Sequence, residues 1–218
     1  MSTALEFIKN DKIIAIARNV PPENITALAE ALIEGGLHCI EVTFNHANRE
    51  TELMTPYAIS LLKERFGNEM AVGAGTVLSI DDVTMAAEAG AQYIISPDTN
   101  EDVIQKTKSL GLLSIPGAFT ATEVVRAYSY GADFVKLFPA ANLGVSYIKA
   151  LRGPLAHIPM MAVGGVNPQN VADFLAAGCV GAGCGGGLVS LDSIRKGDFA
   201  AITAVARAYS EAIAKSVQ

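Results

Sequence analysis

GADFVKLFPAANLG, residues 131–144, governs how the rest of the chain is read. Its centre, Phe134-Val135-Lys136-Leu137-Phe138, is a short apolar run of the kind that becomes a strand covered on both faces. A segment of helical period, 145–151, follows it. The run also carries an ammonium group, which a buried strand does not ordinarily accept. The stretch therefore raises two matters together: a strand–helix unit, and a lysine whose place in it needs a reason.

The same unit recurs along the chain. Short apolar runs lie at 12–17, 38–44, 70–74, 92–96, 112–115, 133–138, 159–163 and 179–183. Between them stand helix-like segments at 22–34, 47–66, 80–89, 100–109, 120–130, 145–151 and 168–177, and a last one covers 198–215. Pro22 suits a first helical turn and Gly35-Gly36 its end. Ser79 precedes Asp81-Asp82, an N-cap with an acidic first turn. Thr120 and Glu123 make a capping box, and Asn167-Pro168 pairs a capping residue with a proline. Uniformly apolar strands alternating with helices predict a parallel sheet with helices outside it. Eight such units in this length predict a single-domain (β/α)8 TIM barrel over residues 1–218. The competing architecture is an open doubly wound sheet.

Composition narrows the function. Of 218 residues, 50% are hydrophobic and 17% charged, ample for a folded core. The formal net charge of −6 argues against a nucleic-acid partner, although backbone N–H groups can hold an anionic small molecule whatever the net charge. No long uncharged apolar stretch predicts a membrane span. The amino-terminal segment MSTALEFIKNDK lacks the apolar core of a signal peptide, so the expectation is a cytoplasmic protein. Cys39, Cys179 and Cys184 are odd in number and show no CxxC. Neither a disulfide framework nor a zinc site is expected.

In a barrel of this kind the chemistry sits at the C-terminal ends of the strands. Lys136 and Phe138 share one side of their strand. Either Lys136 snorkels outward to solvent, or burial lowers it from about 10.4 towards neutrality, at a cost to its charged form of about 4 kcal/mol. A neutral amine there can attack a ketone and form a Schiff base. Glu41, inside Cys39-Ile40-Glu41-Val42-Thr43-Phe44, is the second oddity. It is either a rim carboxylate paired with a base or a proton relay for that lysine. Arg18 closes the first strand and can grip a carboxylate with two N–H groups, or it is a solvated loop residue. Thr76 follows Gly73-Ala74-Gly75, where glycines let backbone approach a ligand or simply make a turn. Gly164-Gly165 and the Gly183–Gly187 run end the last two strands. They form either flexible loops or a phosphate cradle, with Gly185–Gly187 leading into a short helix at Leu188-Val189. His38, His46 and His157 show no metal-ligand spacing; His46 falls on the active rim, as a substrate contact or a solvated loop residue. Cys184 is read as packing.

With these residues in view, the chain resembles the family of 2-keto-3-deoxy-6-phosphogluconate and 4-hydroxy-2-oxoglutarate aldolases. The matching stretches are IEVTF at 40–44, GAGTV at 73–77, ISP at 95–97, IPGAFTATE at 115–123, KLFPA at 136–140 and VGG at 163–165. The resemblance implies a (β/α)8 barrel, a homotrimer, and a class I aldolase with no cofactor or metal. It implies Lys136 as the Schiff-base lysine and Glu41 as general acid/base. Arg18 and Thr76 would hold the keto acid carboxylate, Pro97 and Phe138 would line the pocket, and Gly164, Gly165, Gly185 and Gly186 would bind a phosphate. The expected ligands are small 2-keto acids, including pyruvate.

Three departures stand out. Asn45 occupies a position where many gluconate-type members have arginine, which leaves that duty to Arg18, as in the phosphogalactonate type. Val163 replaces a threonine hydroxyl beside the substrate, and Gly186 replaces a serine at the phosphate. The rivals to a sugar-acid phosphate aldolase are cleavage of unphosphorylated 4-hydroxy-2-oxoglutarate, a phosphate-binding barrel isomerase or decarboxylase, and a non-catalytic sensor.

Overall fold

A computed structural model describes residues 3–216. Every strand pair in it is parallel. In chain order the strands are β1 (Ile13–Ala17), β2 (Cys39–Thr43), β3 (Ala71–Gly75), β4 (Tyr93–Ile95), β5 (Leu113–Ile115), β6 (Gly117–Ala118), β7 (Val135–Leu137), β8 (Met160–Val163) and β9 (Gly181–Cys184). They join side by side as β5-β4-β3-β2-β1-β9-β8-β7-β6. The two ends of this row, β5 and β6, are consecutive in the chain and separated only by Pro116. They act as one barrel strand. On one side Ser96 donates to the Ile115 carbonyl; on the other Phe134, Lys136 and Phe138 donate to Ser114, Pro116 and Ala118. The ring thus closes through the covalent chain, and the eight-stranded barrel expected from the apolar runs is present. The open sheet is excluded.

The helices are α1 (Ala4–Asp11), α2 (Pro22–Glu34), α3 (Arg49–Phe66), α4 (Ile80–Glu88), α5 (Glu101–Ser109), α6 (Ala121–Ser129), α7 (Ala140–Arg152), α8 (Val171–Ala176), α9 (Leu191–Arg195) and α10 (Phe199–Ser216). Pro22 opens α2, and the capping boxes at Ser79 and Thr120 form. α2 shows why these segments pack outside the ring. Ile25, Leu28, Ala29 and Leu32 recur at helical spacing and are wholly buried; each large one contributes about 1.5–3 kcal/mol by leaving water. α10 seals the last gap. Its Thr203 and Ser210 hydroxyls donate to the Ala31 and Gly35 carbonyls of the α2 end. A Cβ on Gly35 would lie 2.3 Å from that of Ala206, so only glycine lets the two helices meet there.

Several local expectations change. α1 was not expected, although Thr3 and Glu6 form a capping box at its start. It plugs the N-terminal mouth of the barrel with Ala4 and Ile8, which pack on Ile14, Cys39 and Ala71. α7 begins earlier than expected but leaves helical geometry at Gly144, so its regular part starts where the sequence placed it. Asn167 does not cap α8. Its side chain accepts from Gln169 and Asn170 in a turn, and α8 starts at Val171. No helix forms at Leu188-Val189: both N–H groups return to the Gly185 carbonyl in a turn, and α9 starts later, at Leu191. Among the described residues no helix is long and apolar enough to cross a membrane.

The lumen is made unequal by glycine. Tyr93 lies flat across Gly73 and donates to the Ile40 carbonyl on β2 at 2.6 Å. A Cβ on Gly73 would sit 2.2 Å from the Tyr93 ring. Gly73→Ala is expected to lower stability by about 1–3 kcal/mol through overpacking, read as a lower urea midpoint with an unchanged slope. An unchanged midpoint would show that the ring moves aside freely.

Candidate active site

Parallel closure brings all the strand C-termini to one mouth, and the ring order decides which side chains meet there. β2 and β7 lie on opposite sides of the eight-stranded ring. Glu41 is in register with Ile16 on β1 and Gly73 on β3; Lys136 is in register with Gly117 on β6 and Met161 on β8. Both side chains point inward, Lys136 two residues beyond Phe134 of the buried apolar cluster that also holds Ile95, Ile115 and Met161. Glu41 is 2% exposed and Lys136 6%. Lys136 therefore does not snorkel to solvent, and Glu41 is not a rim carboxylate.

Neither group is neutralised in contact. Among the described residues no hydrogen bond or ion pair engages the Glu41 carboxylate or Lys136 Nζ. Burial raises Glu41 above the ordinary carboxylate range, opposed by the positive charges of Lys136 and Arg18. Burial likewise lowers Lys136 below the ordinary lysine value; the Glu41 charge works against that shift and Arg18 reinforces it. The two shifts converge, which favours an uncharged amine and a carboxyl able to exchange its proton. Lys136 Nζ lies 5.0 Å from the centre of the Phe138 ring, a contact that favours the ammonium form. Room for the carboxylate comes from β3: a Cβ on Gly75 would fall 2.0 Å from Glu41 Oε1. The glycines of the GAGT stretch thus clear volume inside the barrel, a role distinct from turn-making.

Arg18 and Thr76 stand together on the rim. Arg18 Nη2 donates to Thr76 Oγ1 at 3.3 Å. Thr76 has φ 56°, the left-handed region, which is disfavoured for a β-branched residue and costs on the order of 1–3 kcal/mol. Pro97 follows β4, and its carbonyl presses on Gly117, where a Cβ would lie 2.2 Å away. Phe138 is 39% exposed at the mouth, with its ring against Gly164. Val163 is buried at the end of β8. Asn45 does not reach into the lumen. Its amide donates to Asn19 Oδ1 and ties the β1–α2 and β2–α3 loops together.

The glycines expected to receive an anion are brought side by side by the pairing of β8 with β9, Val163 opposite Gly183. Gly164 and Gly165, with φ 94° and 78°, and Gly185-Gly186 extend from these neighbouring ends. A Cβ on Gly186 or Gly187 would meet nothing within 4 Å. The Gly165 carbonyl is held by Asn170 and the Gly164 carbonyl by the Ala141 N–H.

Sequence reasoning undervalued His46. Its ring lies against Phe44, faces Glu52 and meets the Thr76 carbonyl. His46, Glu52 and Asp82 place ligand-type atoms within 4.8 Å of one another. His46 is bonded on both ring nitrogens, and Asp82 accepts from the Leu78 and Ser79 N–H groups. We read the group as a hydrogen-bond network. Cys184 is buried, with its thiol pushed up to about 12 by desolvation, in keeping with a packing role.

The chain is similar to known aldolases along nearly its whole length. The family model for KDPG and KHG aldolases matches residues 5–205. The chain is 35% identical over 202 residues to the 2-dehydro-3-deoxy-6-phosphogalactonate aldolase of Escherichia coli (strain K12), covering 92% of this chain and 96% of that one. It is also 35% identical over 209 residues to the 2-dehydro-3-deoxy-phosphogluconate aldolase of Treponema pallidum (strain Nichols), covering 95% and 96%. Among solved structures, the KDPG aldolase of Legionella pneumophila, crystallised with pyruvate captured at low pH as a covalent carbinolamine intermediate, superposes with a TM-score of 0.85. It is 26% identical, covering 95% of this chain and 98% of that one.

The electrostatics of the pair can be tested without a sugar substrate. Glu41→Gln removes a charge that opposes the downward shift of Lys136, so the pH at which the amine becomes reactive should fall below that of the wild type. Cyanoborohydride adduct formation with pyruvate, followed against pH by mass spectrometry, measures it. A midpoint that stays put or rises would show that Glu41 does not act on Lys136.

Proposed function

Because the chain belongs to the KDPG and KHG aldolase family and is accordingly a carbon–carbon lyase, we propose that it cleaves a 2-keto-3-deoxy-6-phosphohexonate to pyruvate and glyceraldehyde 3-phosphate. The observation that carries this reading is the buried Lys136, without a hydrogen-bond or ion-pair partner among the described residues, on the strand across the ring from that of Glu41.

In this reading the neutral Lys136 amine attacks the C2 carbonyl and forms a carbinolamine, which loses water to give a protonated imine. Arg18 and the Thr76 hydroxyl hold the carboxylate, with Arg18 supplying the charge. Glu41, through a water, takes the C4 hydroxyl proton. The C3–C4 bond then breaks, its electron pair passes into the iminium, and an enamine forms as the aldehyde leaves. Protonation of the enamine methylene carbon and addition of water release pyruvate and restore the amine. The imine is the electron sink, so these steps call on no metal or organic cofactor. Pro97, Phe138 and Val163 line the path of the chain, and the N–H groups of Gly164, Gly165, Gly185 and Gly186 receive the phosphate.

Asn45 and Val163 favour the galactonate epimer. Arg18 is the cation beside Thr76, while Asn45 is committed to the neighbouring loop. Gly186 favours a second substrate, unphosphorylated 4-hydroxy-2-oxoglutarate, because a side-chain donor to the phosphate is missing from a place with room for one. We also infer a cytoplasmic homotrimer. Exposed Leu53, Met54, Tyr57, Leu78 and Ile80, on and beside α3 and α4, offer apolar surface for self-association.

Borohydride trapping with pyruvate should leave a reduced pyruvyl adduct on Lys136, seen by peptide mass spectrometry; folded protein without an adduct would remove the Schiff-base mechanism. In steady-state assays, the phosphorylated hexonate should exceed its dephosphorylated form in kcat/KM by at least about a hundredfold, the value of two or more charge-assisted hydrogen bonds. Equal values would transfer the assignment to the unphosphorylated substrate.

A further inference from the structure

The proposed aldol steps leave the interactions of the rim residue His46 unused. Its Nδ1 lies 3.0 Å from Glu52 Oε1 on α3, and its Nε2 lies 2.9 Å from the Thr76 carbonyl on the β3–α4 loop. The buried Asp82 carboxylate of α4 is 3.9 Å from the same Nε2. On its own loop, the Phe44 ring is stacked at 13° to the imidazole plane, with centroids 5.9 Å apart. Beyond Thr76 stands Arg18, 3.3 Å from the threonine hydroxyl. A carbonyl and an ionised carboxylate only accept, so a ring placed between them is satisfied only when both nitrogens carry protons. Among the described residues, His46 is the sole donor to the Thr76 carbonyl, and Thr76 is held in the left-handed region, at φ 56°.

We propose that His46 is a positioning residue whose doubly protonated ring pins the Thr76 peptide, and through it sets the Thr76 hydroxyl and Arg18 to receive the keto acid carboxylate. The inference rests on the assignment of Arg18 and Thr76 to that carboxylate. It makes carboxylate binding depend on pH. The Thr76 carbonyl first, then Glu52 and the Asp82 charge, raise His46 above the ordinary histidine value against the effect of burial. A raised histidine keeps its proton below the ordinary value and loses it as pH climbs through the raised one. The clamp is therefore in place in mild acid and released on the alkaline side.

Pyruvate isolates the effect, since it presents only a ketone and a carboxylate. Its half-saturating concentration for cyanoborohydride adduct formation is measured against pH, separately from the maximal rate, for wild type, His46→Phe and Glu52→Gln. His46→Phe keeps the stacking and removes both donors. It should raise the half-saturating concentration at about pH 6 on the order of tenfold, the value of a lost charged hydrogen bond, and flatten its pH dependence. The maximal rate should change far less. Glu52→Gln should move the wild-type inflection to lower pH. The His46 ring signal, followed by NMR in the wild type and assigned by its loss in a variant, should titrate above the ordinary histidine value and move higher with pyruvate bound. An active wild type overturns the proposal if His46→Phe leaves the binding profile unchanged, or if the ring titrates at or below the ordinary value. A wild type that forms no adduct at all overturns the aldolase reading itself, a separate result.

Discussion

An amine and a carboxyl buried in one lumen, close enough to feel each other and too far apart to bond, set the terms for the rest of this molecule. Each is expensive to bury charged, and among the described residues neither has a hydrogen-bond or ion-pair partner to relieve it. Their mutual field lowers that cost in part. The remainder appears as displaced proton affinities, the lysine downward and the glutamate upward. A direct salt bridge would have held both groups in their charged forms and left the lysine without nucleophilic power. Separation across the ring keeps the reactive state within reach.

That separation depends on where side chains are missing. Gly73 gives its space to the Tyr93 ring and Gly75 to the Glu41 carboxylate. The Tyr93 hydroxyl is anchored on the carbonyl of the residue just before Glu41. One bare strand therefore sets the position of the acid, the volume beside it and the packing below it. The opposite wall is built differently, with aromatic rings flanking the lysine at Phe134 and Phe138.

Much of this was legible in the sequence. The strands announced themselves because doubly covered strands must be apolar throughout, and Lys136 and Glu41 were conspicuous as the polar exceptions. Capping residues placed α2, α4 and α6 closely. What stayed hidden depended on distance in the chain. The split of one barrel strand at Pro116 is visible only once both neighbours are known. α1 is short and was passed over despite its capping box, because its value lies in plugging a mouth that does not exist until the ring closes. GAGT suggested a close backbone approach to a ligand or a turn, while its glycines are explained by side chains on β2 and β4. The His46 network joins residues 6 and 30 positions apart, and no local pattern marks it.

Closure carries a consequence for how the chain becomes an enzyme. β1 pairs with β9, so Ile13 waits for Ala182 before its edge is covered. Until then the growing chain is an open, twisted row of parallel strands with both borders exposed, slow to assemble and prone to pair with its neighbours. Glu41 belongs to one border region of that row and Lys136 to the other. In any unclosed form they lie on diverging arcs, and neither is desolvated by the other's wall. Catalytic competence is thus a property of the completed circle, and it arrives only with the final strands off the ribosome.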